Sequence, residues 1–172
     1  MTDSLPPASI DESDATAPES RAEGDTTDAI VVRMGGGRFA IELAFVAEVG
    51  RTPTVTRVPG LPAWLAGVAN WRGRILPVLD LRPLLGAEAC EFDSAARLVV
   101  LTDVGVAVGM VVDAVEGTTP MSGVAAFPSL SSVGGFALLS GQVPREDGPL
   151  AVLDVPAVLR LREGLPRGRR SA

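Results

Sequence analysis

The strongest constraint on the fold is a short pattern that occurs twice. Leu76–Leu85 and Leu150–Leu159 each read as an apolar strand, an aspartate, a proline within the next few residues and a leucine-rich helical turn. Repetition of a whole strand–helix unit is typical of a chain built by doubling one small module. The aspartates, Asp80 and Asp154, stand where strand gives way to helix. Their carboxylates are expected to cap free N–H groups, a contact worth about 1 kcal/mol.

Apolar runs separated by tight-turn residues predict a mainly β fold. Gly35–Gly37, Arg72-Gly73 and Val104-Gly105 each lie between two such runs, which is typical of hairpins because glycine adopts a positive φ at little cost. Each half of the chain then supplies about five short strands and one short helix, which suits two small β-barrels packed together. We also expect one helical turn beginning near Leu43 and a short helix opened by Pro62.

Charge is concentrated at the two ends of the chain. Residues 1–28 hold eight acidic residues, one arginine and almost no large apolar side chain. Such a segment cannot bury enough surface to offset its ordering entropy, so we predict a disordered acidic tail that solubilises the chain or, alternatively, binds a partner. It lacks the basic start and apolar centre of a signal peptide. Residues 162–172 form a basic tail without the interleaved aromatics that would favour nucleic-acid binding.

Residue types on which most enzymes depend are missing. The chain has no His and no Lys, and its one cysteine is Cys90. The commonest general base, Schiff-base amine and metal ligand are therefore absent, and a single cysteine permits no internal disulfide and fits a reducing compartment. No metal-ligand spacing or phosphate-binding glycine loop occurs, so we expect no catalytic residue, metal or cofactor. The remaining enzymatic alternative is a carboxylate-dependent reaction at Asp80, Asp113 or Asp154.

One uncharged stretch could be mistaken for a membrane span. Gly117–Gln142 contains no charged residue, but prolines, glycines and serines interrupt it repeatedly. A spanning helix needs about 20 mostly apolar residues in a row. We therefore expect a long connection between strands and no membrane insertion.

One segment carries a specific resemblance to the CheW-like family. Residues 58–81, VPGLPAWLAGVANWRGRILPVLDL, contain a Gly-Val-x-Asn-x-Arg-Gly core followed by Pro-Val-x-Asp-Leu, as the family's signature does. Phe39–Val49 and Val108–Asp113 are similar to the family's pattern as well, so the resemblance covers residues 29–161. It implies two five-stranded SH3-like β-barrels around a shared apolar core, with subdomains at roughly 29–90 and 91–161 that exchange some strands.

The same resemblance implies a function. Members of the family are non-catalytic adaptors of bacterial chemosensory arrays. The implied partners are the regulatory domain of the histidine kinase CheA, which docks on one barrel, and the cytoplasmic tip of a chemoreceptor (a methyl-accepting chemotaxis protein), which enters the groove between barrels. The resemblance points to a stand-alone coupling adaptor in the cytoplasm, recruited to membrane-associated arrays. An adaptor of the same build in another sensory or surface-motility pathway is the alternative.

Four residues of the matching segments are candidates for partner contact. Arg72 is expected either to shape or touch the receptor groove, or to pack its stem beside the turn and bond nearby carbonyls. Asn70 is expected to fix the local backbone through its side chain, or to contact a partner. Val46 matches a position associated with receptor contact, with core packing as the equal alternative. Trp71 replaces a usual leucine as a partner-facing hot spot or a larger core filler. The residues expected to be structural are Gly73, Asp80 and Asp154.

Overall fold

The computed structural model describes residues 26–88, 91–126 and 138–164. In chain order the strands are β1 (Thr27–Met34), β2 (Gly37–Glu42), β3 (Val46–Arg51), β4 (Val55–Thr56), β5 (Leu65–Trp71), β6 (Arg74–Leu79), β7 (Arg97–Asp103), β8 (Val106–Val112), β9 (Ala114–Met121), β10 (Ala125–Ala126), β11 (Leu139–Val143) and β12 (Leu150–Leu153). The helical segments are helix α1 (Val155–Arg160) and the 3₁₀ turns Leu43–Phe45, Arg82–Leu85 and Leu161–Gly164. The prediction of a mainly β fold is confirmed.

The strands form two six-stranded sheets with the same internal order. The first sheet runs β10-β11-β12-β2-β1-β9 and the second, read from its other end, runs β4-β5-β6-β8-β7-β3. In each, the strand of the repeated pattern (β12 or β6) pairs in parallel with the second strand of a hairpin, β2 or β8. The doubled pattern therefore corresponds to a doubled topology of two units, β1–β6 and β7–β12.

Each unit gives part of its chain to the other unit's sheet. The hairpin β1–β2 lies in the first sheet with β9–β12, whereas β3–β6 lie in the second sheet with the hairpin β7–β8. The sheets also curl back on themselves. Side chains of the β5–β6 hairpin reach β3 at the far edge of the second sheet, and Arg145, which follows β11, bonds to Thr119 on β9. Each sheet thus approaches a barrel, with no hydrogen-bonded closure among the described strands.

Three apolar clusters hold the sheets together. The largest is shared by both sheets and α1, and includes Ile41 from the first sheet, Leu101 from the second and Val158 from the helix. Smaller clusters lie within each sheet. Alternating burial along the strands produces this arrangement because successive side chains point to opposite faces.

Boundaries differ in places from the sequence-based expectations. Leu43–Phe45 forms the expected helical turn, but the short helix expected after Pro62 is wrong. The Leu65 N–H instead bonds the Pro62 carbonyl in a turn at 2.9 Å, and β5 begins at Leu65. Pairing of Leu65 with Leu79 on β6 overrides the helix-start signal of the proline. Most of the two predicted tails lies outside the described residues; β1 begins at Thr27 and the last 3₁₀ turn ends at Gly164.

A surface charge network on the first sheet gives a pH prediction. Arg38 on β2 pairs with Glu116 on β9 at 2.8 Å and with Asp147. The hydrogen bond from Arg38 lowers the pKa of Asp147 below its ordinary value of 3.8. This stabilisation is therefore present above the unfolded pKa and is lost as the pH falls through the folded pKa. In Arg38→Gln we expect the Asp147 carboxyl to titrate at a higher pH, measured by carboxyl ¹³C NMR; an unchanged titration would contradict the pairing.

Candidate functional site

The signature segment folds as the β5–β6 hairpin. Asn70 pairs with Ile75 and Trp71 with Arg74, which leaves a two-residue turn. Its residues, Arg72 and Gly73, have φ of 50° and 80°, as in a type I′ turn. The Asn70 Oδ1 accepts a hydrogen bond from the Gly73 N–H at 2.9 Å. Asn70 therefore fixes the backbone of the turn, which is one of its two expected roles.

Arg72 projects from the turn to the opposite edge of the sheet. Its Nη2 lies 2.6 Å from Oε1 of Glu48 on β3, and its side chain is 74% exposed. The partner of Arg72 in the structure is thus a carboxylate on another strand. The sequence-based alternative to partner contact had expected bonds to nearby backbone carbonyls. A positive φ is uncommon for a residue other than glycine. The strand pairing on both sides of the turn holds Arg72 in this conformation, and its guanidinium points outward.

Trp71 packs inward, beside Arg72. Its ring belongs to the apolar cluster of the second sheet and is half-buried. A Cβ added to Gly50 on β3 would lie 2.9 Å from the ring, so the absence of a side chain at Gly50 makes room for it. These contacts correspond to the core-filling alternative for Trp71.

Val46 lies at the start of β3, opposite Leu101 on β7. It is half-buried and packs against the cluster shared by both sheets. Its contacts correspond to the core-packing alternative, and part of its side chain remains accessible. The structure therefore brings Asn70, Trp71 and Arg72 together on one hairpin and places Val46 on β3, the strand that also carries Glu48, the partner of Arg72.

Sequence reasoning missed two accessible residues near the tip and on the strands of this hairpin site, Glu48 on β3 and Ile75 on β6. Ile75 on β6 is 72% exposed, so its apolar side chain is available to a partner. Ile75 and Leu76 are adjacent on one strand and face opposite sides of it. Because Val78 and Leu79 on the same strand are both buried, adjacency to Leu76 gave no signal that Ile75 would be exposed. We call Glu48, Asn70, Arg72 and Ile75 the hairpin patch.

The three aspartates of the enzymatic alternative do not form one cluster: Asp80 and Asp113 both pair with Arg82, whereas Asp154 lies at the start of α1. Asp154 caps α1, its Oδ1 accepting the Ala157 N–H at 2.9 Å. The Asp80 carboxylate accepts an N–H at the start of the 3₁₀ turn, as expected, since its Oδ1 lies 3.1 Å from the backbone N of Arg82. Its two oxygens also bind the Arg82 guanidinium, at 2.9 and 2.8 Å, which the sequence had not indicated. A two-pronged charged contact is stronger than a bond to a neutral N–H.

Neither a metal cluster nor a membrane helix is found in the part of the chain that the structure describes. Within residues 26–88, 91–126 and 138–164, no three metal-binding side chains of the His, Cys, Asp or Glu type converge. No helix in those ranges is long and apolar enough to cross a bilayer.

The comparison with protein families decides the classification. Residues 28–163 match the model of the CheW-like domain. The chain belongs to the CheW-like family. Its fold resembles the crystal structure of the scaffolding protein TtCheW from Thermoanaerobacter tengcongensis, with a TM-score of 0.68 at 22% identity over 76% of this chain and 90% of that one.

Curated relatives match about half of the chain. Protein PilI of Pseudomonas aeruginosa is 41% identical over 85 residues, 49% of this chain and 48% of PilI. Chemotaxis protein CheW of Bacillus subtilis is 33% identical over 84 residues, 49% of this chain and 54% of that protein. The chain spans about half the length of these curated relatives.

Proposed function

We propose that this CheW-like chain is a non-catalytic adaptor that couples a chemoreceptor to the histidine kinase CheA. The observation that carries the proposal is the hairpin patch, which lies within the signature segment except for Glu48 and combines an exposed isoleucine with an outward arginine. Arginine is enriched at protein interfaces and, with tryptophan and tyrosine, among the few residues that carry most of the binding energy. Family membership and a relative named as a chemotaxis protein support the same function.

The Arg72–Glu48 pair suits partner contact better than it suits stability. An exposed ion pair contributes about 0–1 kcal/mol to folding, and the Arg72 side chain is largely in solvent. A partner that covers this pair would exclude water and strengthen its electrostatics. We assign the pair to the receptor-binding surface, together with Asn70 and the accessible part of Val46. The kinase regulatory domain would then dock elsewhere on the chain.

Reversible association is expected from such surfaces. Interfaces near or below about 1,200–2,000 Å² give contacts that exchange, and repetition in an array adds avidity. The adaptor would therefore act in the cytoplasm beside membrane receptors and transmit receptor conformation through binding alone, without a cofactor.

A charge-reversal series tests the assignment of Arg72. We expect Arg72→Glu, and separately Glu48→Arg, to weaken binding of a receptor cytoplasmic fragment at least about tenfold, or about 1.4 kcal/mol. Each single change places like charges side by side, and the double variant should recover part of the loss. Isothermal titration with the receptor fragment and, in parallel, with the CheA regulatory domain measures both affinities.

The matched control for this series is Arg57→Glu, because Arg57 is also exposed but lies outside the hairpin patch. Receptor binding by Arg57→Glu should equal that of the parent. Parent-like receptor binding by Arg72→Glu would remove this residue from the interface. Absence of parent binding to both partners at tens of micromolar would refute the proposed function.

The similarity to PilI favours a second candidate, an adaptor of the same build serving another sensory or surface-motility pathway. The two candidates differ in the kinase that is bound. Titration against the regulatory domains of all CheA-type kinases encoded in the same genome distinguishes them, since only the cognate domain should bind tightly.

A further inference from the structure

A polar contact lies where the chain crosses from one sheet to the other. Asp113 separates β8 of the second sheet from β9 of the first. Its N–H donates to the carbonyl of Arg33 at 2.8 Å, and its Oδ2 accepts the N–H of Gly35 at 2.7 Å. Asp113 therefore holds the end of the β1–β2 hairpin through both its backbone and its side chain.

Arg82 connects Asp113 to the second sheet. The arginine is only 2% exposed; it binds Asp80 through two hydrogen bonds, and its Nη1 lies 3.4 Å from Oδ1 of Asp113. Its Cζ stands 4.6 Å from the centre of the Phe92 ring. Asp80 in turn donates its N–H to the Trp64 carbonyl at 2.8 Å. Directional contacts thus run from the second sheet to the hairpin of the first.

The hairpin tip is shaped for this contact. Gly35 has φ +56°, and a Cβ on it would overlap the Cβ of Ala87 and lie 3.6 Å from Cγ of Arg82. The corresponding tip of the other unit differs, because Val104 at the β7–β8 turn is 93% exposed. Among the described residues the β1–β2 tip has this contact and the equivalent β7–β8 tip does not, so turn formation by itself does not require the contact.

Apolar packing and directional bonds fix different properties. The shared cluster attracts the sheets, but the hydrophobic effect itself is non-directional. Charge-assisted hydrogen bonds have narrow preferred distances and angles. We propose that the contacts among Gly35, Asp80, Arg82 and Asp113, which we call the inter-sheet clamp, fix the angle between the two sheets, with Asp113 as the positioning residue. If the proposed function holds, the receptor-binding and kinase-binding surfaces of this chain then move as one rigid body; this consequence rests on the proposed function.

A spin-label distance measurement tests the clamp without any partner. Labels on Ser140→Cys of β11 and Ile75→Cys of β6, in a Cys90→Ser background, report the distance between sheets by pulsed electron resonance. We expect one narrow distribution for this parent and a broadened or shifted one for Asp113→Ala. That substitution removes both side-chain contacts of Asp113 and leaves the buried Asp80–Arg82 pair intact. Asp113→Asn keeps an oxygen for the Gly35 N–H and should restore a narrow distribution.

The outcomes separate the clamp from a general loss of structure. A folded Asp113→Ala with the parent distribution would overturn the proposal. If Asp113→Ala does not fold, the Asp80→Asn/Arg82→Met double variant removes the contact between Arg82 and Asp113 and should broaden the distance distribution. A parent-like distribution in the double variant would overturn the proposal equally. In a reconstituted receptor–kinase assay, Asp113→Ala should bind each partner with parent affinity but lower receptor control of the kinase. Failure of the parent to bind partners would refute the function and leave the distance test standing.

Discussion

Replacing Arg82 by methionine is expected to lower the free energy of unfolding by about 3–5 kcal/mol. The guanidinium is buried and pairs with the buried carboxylate of Asp80. Methionine fills much of the same volume but leaves that carboxylate without a counter-charge, and desolvation of an unpaired charge is strongly unfavourable. Urea denaturation of both proteins at pH 7 measures the difference.

Arg72→Met is the matched control, because Arg72 pairs with a carboxylate at similar distance on the surface. Its free energy of unfolding should change by no more than about 1 kcal/mol. The Asp80→Asn/Arg82→Met double variant should regain part of the loss, since it leaves no uncompensated charge at this position. Equal effects of Arg82→Met and Arg72→Met would contradict the structural role assigned to the buried pair.

Gly67→Ala is expected to destabilise the protein by about 2–4 kcal/mol, through overpacking and an unfavourable backbone conformation together. Gly67 lies on β5 with φ +146°, and an added Cβ would overlap the backbone carbonyl of Thr56 on β4. Backbone atoms cannot rotate away as a side chain can, so β4 must separate from β5. Thermal and urea denaturation measure the loss, and amide exchange at Val55 and Thr56 should rise.

Gly73→Ala separates the two contributions at Gly67. Gly73 also has a positive φ, +80°, but nothing lies within 4 Å of an added Cβ. Only the conformational cost then applies, about 1 kcal/mol. If Gly67→Ala and Gly73→Ala proved equally stable, the close approach of β4 would not determine the need for glycine at position 67.

The repeated pattern predicts more of the fold than its length suggests. Each copy becomes a strand in the equivalent position of its sheet, β6 between β8 and β5 and β12 between β2 and β11. Each glycine-containing turn singled out in the sequence lies at a two-residue hairpin turn. These features depend on two local properties, the alternation of apolar residues and the φ preference of glycine, which can be recognised from neighbouring residues in the sequence. The helix expected after Pro62 failed because a non-local partner, Leu79, places Leu65 in a strand.

The functional surface could be predicted only in part. Asn70 and Arg72 were identified from the signature, but Glu48 lies on β3, at the far edge of the sheet from their hairpin in strand order. The local sequence does not predict that the sheet curls enough to bring Arg72 and Glu48 together. The exposure of Ile75 could not have been found from its adjacency to Leu76, since apolar neighbours on this strand can both be buried in different clusters, as Val78 and Leu79 are.

The sequence by itself determined the hairpins, the doubled topology and membership of the CheW-like family, because these follow from local patterns and a long contiguous signature. The tertiary structure alone decided the partners of the charged groups. Asp80 accepts an N–H at the start of a helical turn, as expected, but it also binds the buried guanidinium of Arg82, which approaches Asp113, 31 residues further along the chain. Coulomb energy depends on distance and burial, and both are set only when the sheets pack.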